Sequence, residues 1–169
     1  MKIRILFLII FTATFHIAFT AKNTKETANT ALFEAISANH ENTVATLLKE
    51  GVADTNASGR CRKRPLHVAA EVGNLTTVVA LCKHKASLVA IDFRRRQPLF
   101  TAAIHERLAI VAYLLLLGAN PLAVDNIGQT AQDVVRQMIA TGNCKDRETC
   151  SAIATLLAVA EINWLASGN

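Results

Sequence analysis

The stretch that decides the fold is RPLHVAAEVGNL, residues 64–75, which returns in altered form as QPLFTAAIHERL at residues 97–108. We call the spacing between the two stretches the repeat offset, and the same offset relates Val78 to Val111 and Asp92 to Asp125. A fixed period of this size is typical of a solenoid, in which each unit buries its apolar face against its neighbour. The sequence therefore predicts a row of similar, stacked units.

The residues of the two best units resemble the ankyrin repeat. Pro65-Leu66-His67 followed by Ala69 and Ala70 is similar to the family's opening Thr-Pro-Leu-His-x-Ala-Ala, and Gly118-Ala119-Asn120 to its closing Gly-Ala-Asp. The resemblance implies an all-α fold, an ankyrin-repeat solenoid of about four helix-turn-helix repeats with degenerate terminal caps. Short β-turn fingers are expected to connect the repeats on one side.

The period also predicts the domain boundaries. The repeat domain is expected over residues 31–165, with repeats at about 31–57, 61–90, 94–123 and 127–165. Nine extra residues separate the two helices of the fourth repeat, and Trp164 and Leu165 are expected to follow its last helix and cover the exposed end. Lys85 stands where the next repeat has Gly118, and we expect a different turn geometry there.

The N-terminal part of the chain, residues 1–30, is unlike the rest. Residues 1–21 consist of a short basic start and an apolar run, and the chain then turns polar at Lys22. This order is typical of a secretory signal peptide, although residues 3–21 are also long enough for an uncleaved membrane anchor. We expect export to the periplasm or out of the cell, with membrane anchoring as the alternative. Residues 22–30 are expected to be a polar linker.

The remaining composition favours no catalytic or cofactor chemistry. The formal net charge of +5 becomes +3 without Lys2 and Arg4, which indicates neither a nucleic-acid partner nor a membrane partner beyond the possible anchor. Cys82 and His84 lack the second ligand pair that a zinc site needs. The sequence has no haem-attachment motif and no glycine-rich phosphate loop. We therefore expect no enzyme activity, no cofactor and no metal.

Four cysteines are available for pairing. In an exported protein Cys144 and Cys150 flank the inserted loop and are expected to form a disulfide, with two free thiols as the alternative. The repeat geometry should hold Cys61 and Cys82 too far apart to be bridged. Cys82 is expected to pack as a small apolar side chain.

Basic residues cluster in two neighbouring fingers. Arg62 matches Arg95 at the repeat offset, and both replace the turn glycine of the family, which carries a conformational cost. The resemblance to ankyrin repeats implies that a partner binds at the finger tips and the exposed side of the first helices. The alternative is that these arginines only aid solubility. The residues of this surface are Arg60, Arg62, Lys63, Arg94, Arg95, Arg96, Glu71, Asn74, Ile104 and Arg107.

Arginine forms bidentate bonds with carboxylates, so the expected partner is a protein with an acidic surface, bound by a monomer. A phosphate-bearing or lipid partner is less favoured because no aromatic residues interleave the arginines. The leading hypothesis is a non-catalytic protein-binding module. A periplasmic accessory protein of a redox or haem enzyme and a secreted effector acting on host proteins are the alternatives. The family's motif histidine, His67, lacks its usual threonine partner because Arg64 stands there, and is expected to be structural or solvated.

Export is tested with a reporter protein that is active only in the cytoplasm, fused after residue 30. Because the apolar segment should carry the reporter across the membrane, we expect the fusion to be inactive and the same fusion without residues 1–21 to be active. Equal activity of both fusions would contradict export.

Overall fold

The structure, a computed structural model, describes residues 24–168. Eight α-helices run through these residues, with a 3-10 turn at Arg60–Arg62 and an isolated antiparallel β-bridge between Val124 and Thr130. The helices are α1 (24–37), α2 (Glu41–Lys49), α3 (Pro65–Val72), α4 (Leu75–Lys83), α5 (Pro98–Ile104), α6 (Leu108–Leu116), α7 (Ala131–Thr141) and α8 (Arg147–Ala166). The predicted all-α fold of four helix pairs is confirmed.

Successive helix pairs stack in two layers. In one layer α3 packs against α5 and α5 against α7, while in the other α2, α4, α6 and α8 follow one another. The buried side chains recur at the repeat offset, so that the core is one continuous cluster along the stack. Matching buried pairs are Leu66 and Leu99, Ala69 and Ala102, Ala70 and Ala103, Val78 and Val111, and Leu81 and Leu114.

Local sequence sets the helix ends. Pro65 and Pro98 occupy the first positions of α3 and α5, where the lacking N–H has no helical partner to lose. Gly73 ends α3 in the left-handed conformation at φ 95°, and Asn39 takes the matching place after α1 at φ 59°. Glu106 does so after α5 at φ 61°, without glycine's freedom.

The turn after α4 differs from our expectation. Lys85 adopts φ 63° and Gly118 adopts φ 84°, so both turns are left-handed. In each, the residue after the left-handed one donates to a carbonyl five residues back: Ala86 N to Leu81 O and Ala119 N to Leu114 O, both at 3.0 Å. The prediction of another turn geometry at Lys85 was wrong. The exposed lysine adopts the same left-handed conformation as Gly118, although that conformation strains a residue with a side chain.

The N-terminal boundary is also corrected. Residues 24–30, predicted as part of a polar linker over 22–30, belong to α1. They contain no glycine or proline to break the helix, and Thr30 bonds back to the Glu26 carbonyl at 3.0 Å instead of capping. Asn29 accepts the Asp54 N–H at 2.7 Å and so ties this first part of α1 to the loop after α2. The predicted signal peptide or anchor, residues 1–21, lies outside the described residues.

The insertion in the fourth repeat is divided among three places. α7 has 11 residues where α3 has 8, the connection spans residues 142–146, and α8 begins six residues before Ile153. Trp164 and Leu165 lie in the last turns of α8 rather than after it, and Leu165 is 64% exposed. The prediction that they follow the last helix was wrong, because α8 continues past the core. Leu165 does not cover the end of the stack, whereas Trp164 is half-buried and lines a groove with Leu115 and Pro121.

The inserted connection is fastened at both ends. The structure joins Cys144 and Cys150 as a disulfide with their Cα atoms 6.4 Å apart, and Cys150 is buried at the start of α8. The carboxylate of Glu106 accepts the backbone N–H groups of Lys145 and Asp146 at 2.9 and 3.0 Å, which links the loop to the turn after α5. Oxidation of this cysteine pair in the cell stays a prediction.

The other two cysteines are free thiols. Cys61 is exposed at the tip of a loop, whereas Cys82 is half-buried against the core, and this burial raises the pKa of its thiol. Cys82 therefore packs as a small apolar side chain, as its sequence position predicted.

Of the helices in residues 24–168, α8 is long and apolar enough to cross a membrane by length and composition alone, with a mean hydropathy of 1.4. Core helices of soluble proteins pass the same test, so length and hydropathy alone do not identify α8 as a membrane span. Several apolar side chains of α8 face solvent, Ile162 among them at 67% exposure.

At the left-handed turn positions, removing a glycine should destabilise the protein, and introducing one should not. A Cβ at Gly118 would meet no atom within 4 Å, so Gly118→Ala tests backbone strain alone. We expect it to lower the free energy of unfolding by about 1 kcal/mol, and Lys85→Gly to leave that free energy unchanged or raise it. Urea unfolding followed by circular dichroism measures both. A Gly118→Ala protein as stable as the wild type would contradict this account.

Candidate functional site

Three connecting loops form a row beside the helices. We call them finger two (residues 58–64), finger three (91–97) and finger four (124–130). Each finger takes the number of the repeat whose helices follow it. Phe93 N donates to Cys61 O at 3.0 Å, and Asn126 N donates to Arg94 O at 2.9 Å. The two bonds are equivalent, because their donors match each other at the repeat offset and so do their acceptors. The fingers therefore lie side by side in register.

Buried aspartates shape fingers three and four. Asp92 Oδ1 accepts the N–H groups of Arg94 and Arg96 at 2.8 and 3.0 Å, and Asp125 Oδ1 holds the matching turn of finger four. The second oxygen of Asp92 binds the Arg96 guanidinium at 2.8 and 3.1 Å. Burial raises the pKa of Asp92, but its hydrogen bonds to Arg96 and Arg94 and the charge of Arg96 together outweigh burial and lower the pKa overall.

Arg96 is therefore a structural residue. Its side chain is only 14% exposed and is paired with a buried carboxylate. Our assignment of Arg96 to an exposed binding surface was wrong, because the sequence did not reveal that Asp92 would point inward beneath it.

Finger two is built without an aspartate. Gly59 takes the place of Asp92 at the repeat offset, and the Phe33 ring of α1 lies so close that a Cβ on Gly59 would be 2.7 Å from it. The backbone turn is nevertheless kept, since Gly59 N donates to Lys63 O at 2.9 Å as Asp92 N donates to Arg96 O at 3.1 Å. Lys63, the counterpart of Arg96, pairs instead with Glu71 of α3.

Two finger arginines occupy a glycine conformation. Arg62 has φ 57° and Arg95 has φ 62°, while finger four has Gly128 at φ 82° in the same place. The prediction that both arginines replace a turn glycine at a conformational cost is confirmed. A residue with a side chain is held there only when the surrounding structure fixes the turn, as the backbone bonds of the finger do.

Four arginines are left on the surface of the fingers. Arg60, Arg62, Arg94 and Arg95 are exposed, and within residues 24–168 no acidic side chain forms an ion pair with them. They are the part of the predicted surface that the structure brings together in solvent.

An aromatic side chain lies among these arginines. Phe93 is 50% exposed, and the Arg94 guanidinium lies 5.3 Å from the centre of its ring, within the range of a cation–π contact. The statement that no aromatic residues interleave the arginines was wrong. The sequence did carry a signal, because Phe93 directly precedes Arg94.

The helix side of the predicted surface is mostly engaged in internal contacts. Glu71 pairs with Lys63, and its carboxylate lies 3.6 Å from His105 Nε2. Burial raises the pKa of Glu71, but the hydrogen bond and charge of Lys63 outweigh it and lower the pKa overall. The Arg107 guanidinium lies against Gly73 and donates to the Glu71 carbonyl at 3.1 and 3.2 Å.

Asn74 and Ile104, both half-buried, also make internal contacts. Asn74 caps α4 by accepting the Thr77 N–H at 3.0 Å, and its amide donates to Glu41 at 2.6 Å. Ile104 is half-buried against the core. Asn74 and Arg107 thus form bonds between neighbouring repeats. Asn74, Ile104 and Arg107 remain half-exposed, and their contact with a partner stays a prediction.

His67 is the buried link between fingers two and three. Its Nδ1 accepts the Arg64 backbone N–H at 3.2 Å, so Nε2 carries the proton and donates to the Arg96 carbonyl at 2.9 Å. The backbone N–H of Arg64 thus supplies the hydrogen bond to His67 that the family's threonine would otherwise form. Burial lowers the pKa of His67, opposed by the bond to Arg96 and the charge of Asp92.

A groove of about 530 Å³ lies between α1 and finger two. Its lining includes Phe33, Ser37, Gly59, Arg60, Lys63 and Val68. Within residues 24–168 no three His, Cys, Asp or Glu side chains are grouped to hold a metal ion.

Comparison with known proteins finds matches to ankyrin repeats. The family model described as ankyrin repeats (3 copies) matches residues 10–92 and 52–125. The chain is 34% identical over 87 residues to a protein of Caenorhabditis elegans, the ankyrin repeat and LEM domain-containing protein 1 homolog. The match covers 48% of this chain and 12% of that protein, so the chain spans only a small part of its relative's length.

The buried histidine should make stability depend on pH. As pH falls below about 6.5, the His67 ring of the unfolded chain takes up a proton before the folded one does, because its pKa is lowered in the folded protein. The free energy of unfolding should therefore be full above that pH and fall below it, by at most about 1.4 kcal/mol per pH unit for one proton. Urea unfolding between pH 8 and 5 measures this.

His67→Gln serves as the comparison for that measurement. It should be less stable at pH 8 but lose the histidine-dependent part of the fall, whereas the exposed control His84→Gln should keep it. Asp92 and Glu71 titrate below this window because their pKa values are lowered. The same pH profile for wild type and His67→Gln would contradict the role of His67.

Proposed function

This chain belongs to the ankyrin repeat family, whose repeats generally mediate protein–protein interaction, and we propose that it is an exported, non-catalytic module that binds an acidic protein surface through its fingers. Ankyrin repeat proteins are typically non-catalytic. The observation that carries the proposal is the set of exposed arginines, Arg60, Arg62, Arg94 and Arg95, on two adjacent fingers joined in register.

The contrast with their neighbours supports a binding role. Lys63 and Arg96 lie in the same two fingers, and each is paired with a carboxylate of its own chain. The exposed arginines instead form no ion pair within the described part of the chain, residues 24–168. Arg62 and Arg95 also adopt a backbone conformation that glycine would adopt at less cost. A partner's carboxylates would pair with these guanidinium groups through bidentate bonds.

The partner's surface should be acidic with some apolar character. Free guanidinium groups attract carboxylates from a distance and raise the rate of encounter, with a strength that falls as salt is added. Phe93 adds an apolar contact beside Arg94, and aromatic and arginine side chains are the types enriched at protein interfaces. We expect the protein to bind as a monomer.

Export is the second part of the proposal. The basic start and apolar run of residues 1–21 support it, and so does the geometry of Cys144 and Cys150, which suits a disulfide in an oxidising compartment. The location is then the periplasm or the outside of the cell, or the membrane surface if residues 3–21 are retained as an anchor.

Replacing three of the free arginines tests the binding surface. We expect Arg62→Ser, Arg94→Ser and Arg95→Ser together to weaken binding of a partner captured by crosslinking by between about threefold and a hundredfold, since each exposed ion pair contributes roughly 0.2–1 kcal/mol. The salt dependence of binding should also become shallower. Biolayer interferometry at low and at high salt, which varies the charge screening, measures both effects.

The matched control removes three positive charges elsewhere, at the exposed residues Lys25, Lys49 and Lys83, each changed to Ser. It should bind as the wild type does, and both variants should keep the thermal melting temperature. If the arginine variant binds as tightly and with the same salt slope, the arginines are only a solvated surface. If the captured partner is a lipid or a nucleic acid, the proposed partner class is wrong.

A further inference from the structure

The groove between α1 and finger two arises from two substitutions in the repeat pattern. Phe33 takes the place that His67 has one repeat later, and Gly59 takes the place of Asp92. In finger three the aspartate and Arg96 fill the space beneath the turn with a buried ion pair. In finger two this pair is absent, the Phe33 ring covers Gly59 in its place, and a groove of about 530 Å³ is left open.

The chemistry of the groove suits an apolar guest. Phe33 and Val68 contribute apolar surface, and Gly59 lines the groove without a side chain. Of the charged lining residues, Lys63 is already paired with Glu71, and Arg60 and Glu34 carry opposite charges, so a charged side chain inside the groove would gain little. Pockets lined by aromatic and apolar side chains with a few polar groups at the rim are typical sites for one large anchoring side chain.

The groove is continuous with the free arginines. Arg60 belongs to both, and the next residue, Cys61, accepts the hydrogen bond of Phe93 that joins finger two to finger three. A segment of a partner that leaves the groove past Arg60 would therefore meet the Phe93 ring and the guanidinium of Arg94. One end of the row would bind an apolar side chain, and the rest would bind carboxylates.

We infer that the partner is recognised through an extended acidic peptide segment that places one large apolar side chain in the groove at Phe33 and Gly59 and its carboxylates on the finger arginines. This inference rests on the proposed function, since the arginines are the same. It adds the identity of the anchor and explains why finger two lacks the aspartate of its neighbours.

Peptide selection tests the anchor directly. A displayed library of random dodecapeptides is selected in parallel on the wild-type protein, on Ser37→Phe, which fills the groove from the exposed end of α1, and on Ser151→Phe, the same change at an exposed position of α8. The wild type and Ser151→Phe should enrich peptides that combine several Asp or Glu residues with one large apolar residue. Ser37→Phe should not enrich that class.

The strongest selected peptide is then used in fluorescence anisotropy. Replacing its large apolar residue by Ala should weaken binding to the wild type about tenfold, and Ser37→Phe should weaken the original peptide to a similar degree. Combining the two changes should add little further loss, because both remove the same contact. Gly59→Ala, at φ −95° and so without backbone strain, displaces the Phe33 ring and should give a loss in the same direction.

The outcomes separate this inference from the proposed function. If Arg62→Ser, Arg94→Ser and Arg95→Ser together weaken the peptide but Ser37→Phe does not, the groove is not the anchor site and only this inference fails. If the arginine variant binds the peptide as the wild type does, the proposed function fails as well. If Ser37→Phe enriches the same peptides as the wild type and Ser151→Phe do, this inference fails. Selection of peptides without acidic residues by the wild type counts against both proposals.

Discussion

A pair of short helices cannot bury an apolar face alone, and this constraint governs the whole molecule. Each pair here is complete only when the next one covers it, which is why Leu66 and Leu99, or Val78 and Val111, are buried at equivalent places. The contacts that hold register are therefore as important as those within a repeat. Asn74, Arg107 and His67 supply them as hydrogen bonds between neighbouring repeats.

The basic residues of the fingers fall into two kinds, those paired with a carboxylate of the same chain and those left exposed to solvent. Where a finger buries an aspartate, the arginine above it is drawn inward and becomes part of the turn, as Arg96 is on Asp92. In finger two, where Gly59 replaces the aspartate, Lys63 is the counterpart of Arg96 and pairs with Glu71 instead. What remains outside is a shorter and better defined set of charges, and it is this remainder that can serve recognition.

Sequence reasoning succeeded where a periodic pattern decides the structure. The repeat offset predicted the stacked units, and the resemblance to ankyrin repeats implied the helix pairs, the fingers and the turn-glycine positions of Arg62 and Arg95. Sequence reasoning failed where a side chain has two alternative partners, because a one-dimensional pattern does not say which way Arg96 turns. It also failed at the chain ends, where nothing stacks and the period no longer applies: α1 starts earlier than predicted and α8 carries Leu165 beyond the core.

The bonds that join the fingers, from Phe93 N to Cys61 O and from Asn126 N to Arg94 O, use only the main chain. The side chains at those tips are therefore not needed to keep the row together, and most substitutions there leave the scaffold intact. In evolutionary terms the tips are free to diversify while the stack behind them stays constrained. A lineage of such proteins could exchange one partner for another by changing a handful of codons, without first acquiring a new fold.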